Sequence, residues 1–324
     1  MDLSTISRPI EPHLKEFRKF FRESMNSKML LLDTVVRYIL RQKGKQVRPI
    51  LVLLSAEVAG GTTRRAYVGA TMVELLHTAT LVHDDVVDEA DERRGFPSIN
   101  AVWKNKVAVL VGDYLLSRGL LVAVENKEYE FLGVTSEAVR RMSEGELLQI
   151  QKSRKLDIKE EEYFKIISDK TASLISTCCE LGARSATDDP AAHHALRTYG
   201  EMVGIAFQIR DDIFDYVSTD AAIGKPTGND LKEKKLTLPL IYSMNNAPRK
   251  EAKKILSLIK NGEESRARTE TVRQFVTQYG GLVYAERTAV EYCERARASI
   301  ANFRDSEAKR SLLAFVEFAL TRSA

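Results

Sequence analysis

The chain has 324 residues, enough to bury a substantial core as one large domain or two. Its 44% hydrophobic and 29% charged residues are the composition of an ordinary soluble globular protein. A formal charge of +4 suits an anionic small molecule or loose attraction to acidic lipid and is too weak to argue for nucleic acid; no nucleic-acid-binding motif occurs either.

Helical periodicity runs through nearly the whole chain, and no alternating strand pattern persists. In order, the apolar spacing predicts helices over Ile10–Ser24, Met29–Arg41, Arg48–Ala59, Arg64–Ala90, Asn100–Ala123, Lys127–Ser153 and Glu160–Ala186. It predicts further helices over Ala191–Tyr216, Thr237–Asn246, Arg249–Asn261, Glu264–Tyr279, Gly281–Phe303 and Ser306–Thr321. Breakers stand between them at Gly60-Gly61, Gly95-Phe96-Pro97, Asp188-Asp189-Pro190 and Gly280-Gly281. Asp91–Ser98 reads as a polar loop, with Ser98 or Asn100 as cap of the following helix. Asp215–Thr237 is the longest stretch without a period and reads as a lid-like loop. No linker with a composition shift occurs, so the expectation is a single all-α domain over residues 1–324, a large helical bundle around a central cavity.

Three cysteines, Cys178, Cys179 and Cys293, form neither an even disulfide framework nor a metal-ligand spacing; core packing in a reducing, cytoplasmic compartment is expected. Met1-Asp2-Leu3-Ser4 lacks the basic and then apolar pattern of a secretory signal, and Met29–Leu32 and Ile50–Leu54 are too short to span a bilayer.

One carboxylate cluster occurs twice, as Asp84-Asp85-Val86-Val87-Asp88 and as Asp211-Asp212-Ile213-Phe214-Asp215. At ~100° per residue, positions i and i+4 lie roughly 40° apart, so Asp84 and Asp88 share a helix face, as do Asp211 and Asp215. Acids this close, flanked by apolar residues, repel one another and need partners. Mg²⁺ takes few carboxylates and keeps substrate phosphates as ligands, so the pattern reads as a cage for a Mg²⁺-diphosphate and not for bare metal. Basic residues follow each cluster: Arg93 and Arg94 after the first, Lys225, Lys234 and Lys235 after the second, with Gly44-Lys45-Gln46-Val47-Arg48-Pro49 upstream.

Taken together, Gly44-Lys45-x-x-Arg48-Pro49, Glu74-Leu75-Leu76-His77, Asp84-Asp85-x-x-Asp88 with Arg93-Arg94, Lys170-Thr171, Gln208 with Asp211-Asp212-x-x-Asp215, and Gly224-Lys225-Pro226 resemble the trans-type polyprenyl diphosphate synthases. The likeness is dense from Lys45 to Pro239 and implies the isoprenoid synthase fold, a homodimer and an elongating prenyltransferase. It implies that Asp84, Asp88, Asp211 and Asp215 hold Mg²⁺ on an allylic diphosphate, and that Arg93, Lys170, Lys225 and Lys235 contact that diphosphate. It further implies that Lys45, Arg48, His77 and Arg94 bind isopentenyl diphosphate, and that Thr171 and Gln208 line the path of the developing cation. The sequence departs from the family before the second loop lysine, where Lys234 stands in place of a common glycine.

The helix before the first cluster is expected to wall the tunnel that receives the growing chain. Relatives with short products commonly carry an aromatic residue four or five positions before the motif; here Ala79 and Thr80 are small, with Leu76, Val73 and Met72 at the next turns. One turn rises ~5.4 Å, about one isoprene unit, so an open tunnel implies products of about six to ten units, of quinone side-chain type. Long apolar products imply transient membrane contact at release. A terpene cyclase shares the fold but generally lacks the second cluster and the Lys45, Arg48 and His77 site; a regulatory subunit typically has eroded clusters, and both are complete here. A di-iron bundle needs two Glu-x-x-His pairs, and only Glu74 with His77 has the spacing.

Overall fold

Helices make up almost all the regular structure of the computed structural model, which describes residues 2–42, 44–93, 95–217, 229–261 and 265–321. They are α1 (Leu3–Ser7), α2 (Glu11–Ser24), α3 (Leu30–Arg41), α4 (Val47–Ala59), α5 (Arg64–Val87), α6 (Ile99–Glu125), α7 (Tyr129–Lys155) and α8 (Glu160–Ile167). They continue as α9 (Ser173–Ala186), α10 (Pro190–Val217), α11 (Asn229–Lys232), α12 (Leu238–Asn246), α13 (Arg249–Asn261), α14 (Arg266–Gln278), α15 (Gly281–Ser299) and α16 (Glu307–Thr321). Among the described residues the one sheet is a hairpin of two-residue strands, β1 (Glu92–Arg93) and β2 (Phe96–Pro97).

The differences from the apolar spacing have local causes. The helix expected to reach Ala90 stops at Val87, because Glu89 turns left-handed at φ 50° and the Ala90 amide reaches back to the Asp85 carbonyl (2.9 Å). The Asp91–Ser98 loop is instead the hairpin, and Ser98 caps α6 by accepting from the Ala101 amide, while Asn100 donates to the Ala90 carbonyl. The helix expected over Glu160–Ala186 is interrupted by a π-turn, Ser168–Ala172. In the expected long loop, α10 runs on to Val217 and α11 forms; Gly224, Lys225 and Pro226 lie outside the described residues.

The chain divides into two compact units. The first comprises Met1–Glu137, Thr177–Arg197 and Asn302–Ala314. Its core is α4, apolar nearly all round and therefore central: every residue from Pro49 to Ala56 is buried, against Leu14 and Phe17 of α2 and Met72, Val73 and Leu75 of α5. Helix α6 packs along α5 and kinks at Lys104 (φ 70°, ψ 160°). It is the one helix among the described residues long and apolar enough to cross a membrane by length and composition. Val109, Leu110, Leu120, Leu121 and Val124 on it are exposed.

The second unit comprises Ala138–Ser176, Thr198–Ala301 and Phe315–Ala324. In α10, Ile205, Ile209 and Ile213 recur every four residues and bury one stripe with Tyr216 against Tyr163, Leu238, Ile241 and Val272. That burial fixes the rotation of α10, so the acid following Asp211 is also carried inside: Asp212 is buried beside Ile213.

Candidate active site

The first acid cluster closes α5. Asp84 and Asp88 are exposed and Asp85 is buried, where it meets the Arg93 guanidinium of β1 at 2.5 Å. Burial pushes the Asp85 carboxyl above its ordinary value, and Arg93 draws it partly back. The hairpin that carries Arg93 is fastened by Tyr38, whose hydroxyl donates to the Pro97 carbonyl (2.7 Å) and whose ring meets Trp103 edge-on at 5.0 Å. His83 anchors the same end of α5 on α6, 3.5 Å from Asp113 and 3.3 Å from the Val109 carbonyl. A helix C-terminus disfavours anions, so three acids placed there favour an added cation.

Beside this end lies a cavity of about 550 Å³ lined by His77, Glu74, Asp85, Arg93, Gly44 and Gln46 among others. Lys45 is exposed between two of these lining residues, and Arg48 is half-buried in the first turn of α4. Gln46 takes a left-handed conformation (φ 49°) and accepts a hydrogen bond from Arg18 Nε at 3.0 Å. Arg94 lies outside the described residues. Leu76 and Ala79 are buried and Thr80 half-buried, on the side of α5 opposite the stripe Glu74, His77, Thr78, Leu81 and Asp85 that lines the cavity.

The second cluster closes α10. Asp211 and Asp215 are half-buried, and Asp215 accepts from the Asp230 amide at 3.2 Å. Asp212 is buried and accepts from the Tyr163 hydroxyl (2.7 Å) and from Gln208 Nε2 (2.8 Å); Gln208 Oε1 accepts from Thr171 Oγ1 (2.9 Å). Burial, with Asp212 alongside, pushes the Tyr163 phenol well up, so it serves as a donor. Burial also carries Asp212 to about 6 and Asp230 to about 7, the acids raising one another while Lys235 opposes them.

A cavity of about 190 Å³ joins Lys170, Thr171, Gln208, Asp212, Asp230 and Lys235, so four of the expected site residues meet in one place. Lys170 pairs with Glu146 (2.5 Å) and lies 3.4 Å from Gln149, both on α7; Lys235 pairs with Glu233. Lys225 lies outside the described residues. Glu146, Gln149, Tyr163 and Asp230 went unread in the sequence, although Glu146 and Gln149 stand at the i, i+3 spacing that shares a helix face.

No group of three or more His, Cys, Asp or Glu side chains placed to hold a metal ion occurs among the described residues. The donors are all carboxylates, the chemistry a hard cation takes, and the buried pair Asp212 and Asp230 is held protonated well above the usual carboxylate range. These residues fit a divalent cation that brings phosphate oxygens with it.

A largely helical fold with two carboxylate clusters at helix ends, each near a lysine or arginine, suits a protein that handles phosphates together with a hard cation. The chain belongs to the polyprenyl synthetase family, whose model matches residues 30–276. It is 37% identical to an all-trans-nonaprenyl-diphosphate synthase (geranyl-diphosphate specific) of Rhodobacter capsulatus, over 98% of this chain and 97% of that protein. It is 33% identical to a short chain isoprenyl diphosphate synthase of Methanothermobacter thermautotrophicus, over 93% and 94%. Its fold matches a polyprenyl synthase from Caulobacter crescentus, complexed with calcium and isoprenyl diphosphate, with a TM-score of 0.90 and 32% identity over 100% and 98%. The chain therefore has the isoprenoid synthase fold and is a polyprenyl diphosphate synthase, a prenyltransferase that joins isopentenyl diphosphate to an allylic diphosphate.

Proposed function

We propose that this synthase performs Mg²⁺-dependent head-to-tail condensation to a long-chain all-trans polyprenyl diphosphate of about six to ten isoprene units, of quinone side-chain type. The observation that carries the chemistry is the hydrogen-bonded chain Tyr163–Asp212–Gln208–Thr171 in the same cavity as Lys170 and Lys235. Asp212 fixes the Gln208 amide, whose carbonyl then accepts the hydrogen bond of the Thr171 hydroxyl. The Thr171 oxygen is left with its lone pairs for the cavity, a dipole suited to the positive charge that develops as the allylic C–O bond breaks. Arg93, Lys170, Lys225 and Lys235 stabilise the departing diphosphate, and Lys45, Arg48, His77 and Arg94 hold isopentenyl diphosphate by its own diphosphate. The isopentenyl double bond attacks the cation, and the proton lost goes to the released diphosphate. Asp84 and Asp88 at the first cluster, and Asp211 and Asp215 at the second, would hold Mg²⁺, which would supply neutralising charge to the leaving group. The Caulobacter relative, with calcium and an isoprenyl diphosphate, supports a hard cation acting with a diphosphate.

The small residues Ala79 and Thr80 and the nonaprenyl relative support a long product, and Ala79→Phe shortens it if this side of α5 walls the tunnel. The apolar side chains of α6, Leu110, Leu120, Leu121 and Val124, support a homodimer. We place the enzyme in the cytoplasm, acting as one catalytic domain and touching the membrane when it releases product.

Incubating the purified protein with radiolabelled isopentenyl diphosphate, farnesyl diphosphate and Mg²⁺, then resolving the dephosphorylated prenols, tests the reading. Long prenols that vanish with EDTA support it. Products no longer than geranylgeraniol overturn the length, and no incorporation with any allylic primer points to a subunit that needs a catalytic mate.

A further inference from the structure

Resting on that reading of the Lys170 and Thr171 site, we propose that Arg141 is a positioning residue that clamps the π-turn Ser168–Ala172 so that Lys170 and Thr171 face the reacting groups. A π-turn holds one residue more than the regular ladder of an α-helix accommodates, so it persists only where its surroundings favour it. Here α7 and α10, within the second unit, supply those surroundings.

Arg141 of α7 donates from Nε to Asp169 (2.8 Å) and from Nη2 to Ser168 Oγ (2.8 Å) and Glu201 of α10 (2.9 Å). Ser168 Oγ donates onward to Glu201 (2.7 Å), Lys165 reaches the other Asp169 oxygen (2.8 Å), and Ser173 Oγ donates to the Asp169 carbonyl (2.6 Å). Asp169 is buried and Arg141 nearly so. Burial opposes ionisation of Asp169, yet Lys165 and Arg141 outweigh it and hold the carboxyl below its ordinary value. Buried ion clusters of this sort add little net stability, and their best-attested use is to select one geometry over its competitors.

The backbone is fitted to the same turn. A Cβ on Gly145 of α7 would meet the Lys170 amide nitrogen at 2.9 Å, and one on Gly204 of α10 would meet Ala172 Cα at 2.6 Å. Each helix thus carries three parts in sequence. On α7 these are Arg141, Gly145 and Glu146, the last pairing with Lys170; on α10 they are Glu201, Gly204 and Gln208, the last accepting from Thr171. One end of each set grips the turn, the glycine lets the backbone approach, and the far end receives a side chain the turn presents. An Arg fork reaches these three partners from two nitrogens set apart on a rigid plane, a spread that the single nitrogen of a lysine lacks.

The test compares wild type, Arg141→Gln, Arg141→Lys and Gly145→Ala. A misplaced Lys170 and Thr171 lowers kcat of Arg141→Gln about 10- to 100-fold. It also raises KM for the allylic diphosphate, while KM for isopentenyl diphosphate stays within about two-fold. Calorimetry with inorganic pyrophosphate and Mg²⁺ shows the same weakening, and amide hydrogen exchange quickens in peptides covering Ser168–Ala172 and not elsewhere. Arg141→Lys recovers part of the loss. Gly145→Ala, which keeps every charge, reproduces the loss by pushing on Lys170, and it carries the test if Arg141→Gln does not fold. Variants with lower Tm but wild-type kcat, KM and pyrophosphate affinity at a temperature well below unfolding overturn the proposal. If wild type itself elongates no primer, the functional reading fails, and the pyrophosphate and exchange measurements still decide whether the clamp exists.

Discussion

At the end of α5 the middle acid, Asp85, is buried against the Arg93 guanidinium, whereas at the end of α10 the middle acid, Asp212, is buried against a phenol and an amide. One five-residue motif is thus placed in two electrostatic settings. A full positive charge keeps Asp85 compensated inside its own unit. Burial carries the Asp212 carboxyl up to about 6 and Asp215 adds repulsion, which the two neutral donors and the more distant Lys235 only partly offset. Added positive charge is therefore worth more at the second cluster, while the first presents its outer acids, Asp84 and Asp88, to solvent.

Removing an outer acid gives the largest effect. Asp84→Asn and Asp211→Asn are each expected to lower kcat/KM for the allylic substrate about a thousand-fold, since on the proposed reading each would withdraw a ligand from the cation on the leaving group. Steady-state kinetics across a Mg²⁺ titration checks this, and a loss under about ten-fold in either variant removes that cluster from the metal site. The middle acids then separate the settings by stability. Asp85→Asn leaves Arg93 without its carboxylate, and because that arginine is 29% exposed the cost is discounted to about 1–2 kcal/mol. Asp212→Asn removes a charge that burial already disfavours and is expected to cost less. Urea denaturation ranks the two, and the reverse order breaks the comparison.

The pH dependence sharpens it. Asp212 and Asp230 bind protons in the folded state at pH values where the unfolded chain, with carboxyls near 3.8, has lost them. Between about pH 4 and 7 the native state therefore holds more protons, and this contribution to stability falls as pH rises. In EDTA, the Tm of Asp230→Asn minus that of wild type should grow from about pH 4 to about pH 7 and level off above it. Mg²⁺ with pyrophosphate should restore wild type most at the high end. A flat difference would mean that Asp230 ionises as freely in the folded protein as in the unfolded one.

Much of the fold was legible because burial on helices writes a 3.6-residue period into the sequence, and helix ends such as Arg249–Asn261 were read correctly. Lys170, Thr171, Gln208 and Lys235 were legible as a group through their motifs, and they share a cavity. The two environments of the acid motif were not, because the motif is the same and the difference lies in Arg93 and Tyr163, contributed by other elements. The π-turn escaped because one inserted residue leaves the apolar pattern of Glu160–Ala186 intact. The hairpin escaped because two-residue strands are too short to show alternation.

The turns that follow the clusters differ as well, and the smallest prediction tests that difference. Among the described residues, left-handed positions after the first cluster fall at Glu89 (φ 50°) and at a glycine, Gly95 (φ 75°), whereas after the second one falls at Lys234 (φ 56°). An L-residue with a side chain loses about 1 kcal/mol in that region. Lys234 Nζ recovers something by donating to the Lys260 carbonyl (3.2 Å), but that contact is exposed. Glycine also frees the unfolded chain, which offsets part of the relief, so Lys234→Gly is expected to gain about 0.5 kcal/mol. The matching rise in Tm is about 1 °C. Activity should stay within about two-fold, because the left-handed turn seats Lys235 through its amide on the Asp230 carbonyl (2.7 Å), and glycine keeps that turn. Lys234→Ala removes the Lys260 contact while keeping the strain, so it should be no more stable than wild type. If alanine stabilises as much as glycine, the effect belongs to the lost lysine charge in a crowded basic run and not to the backbone.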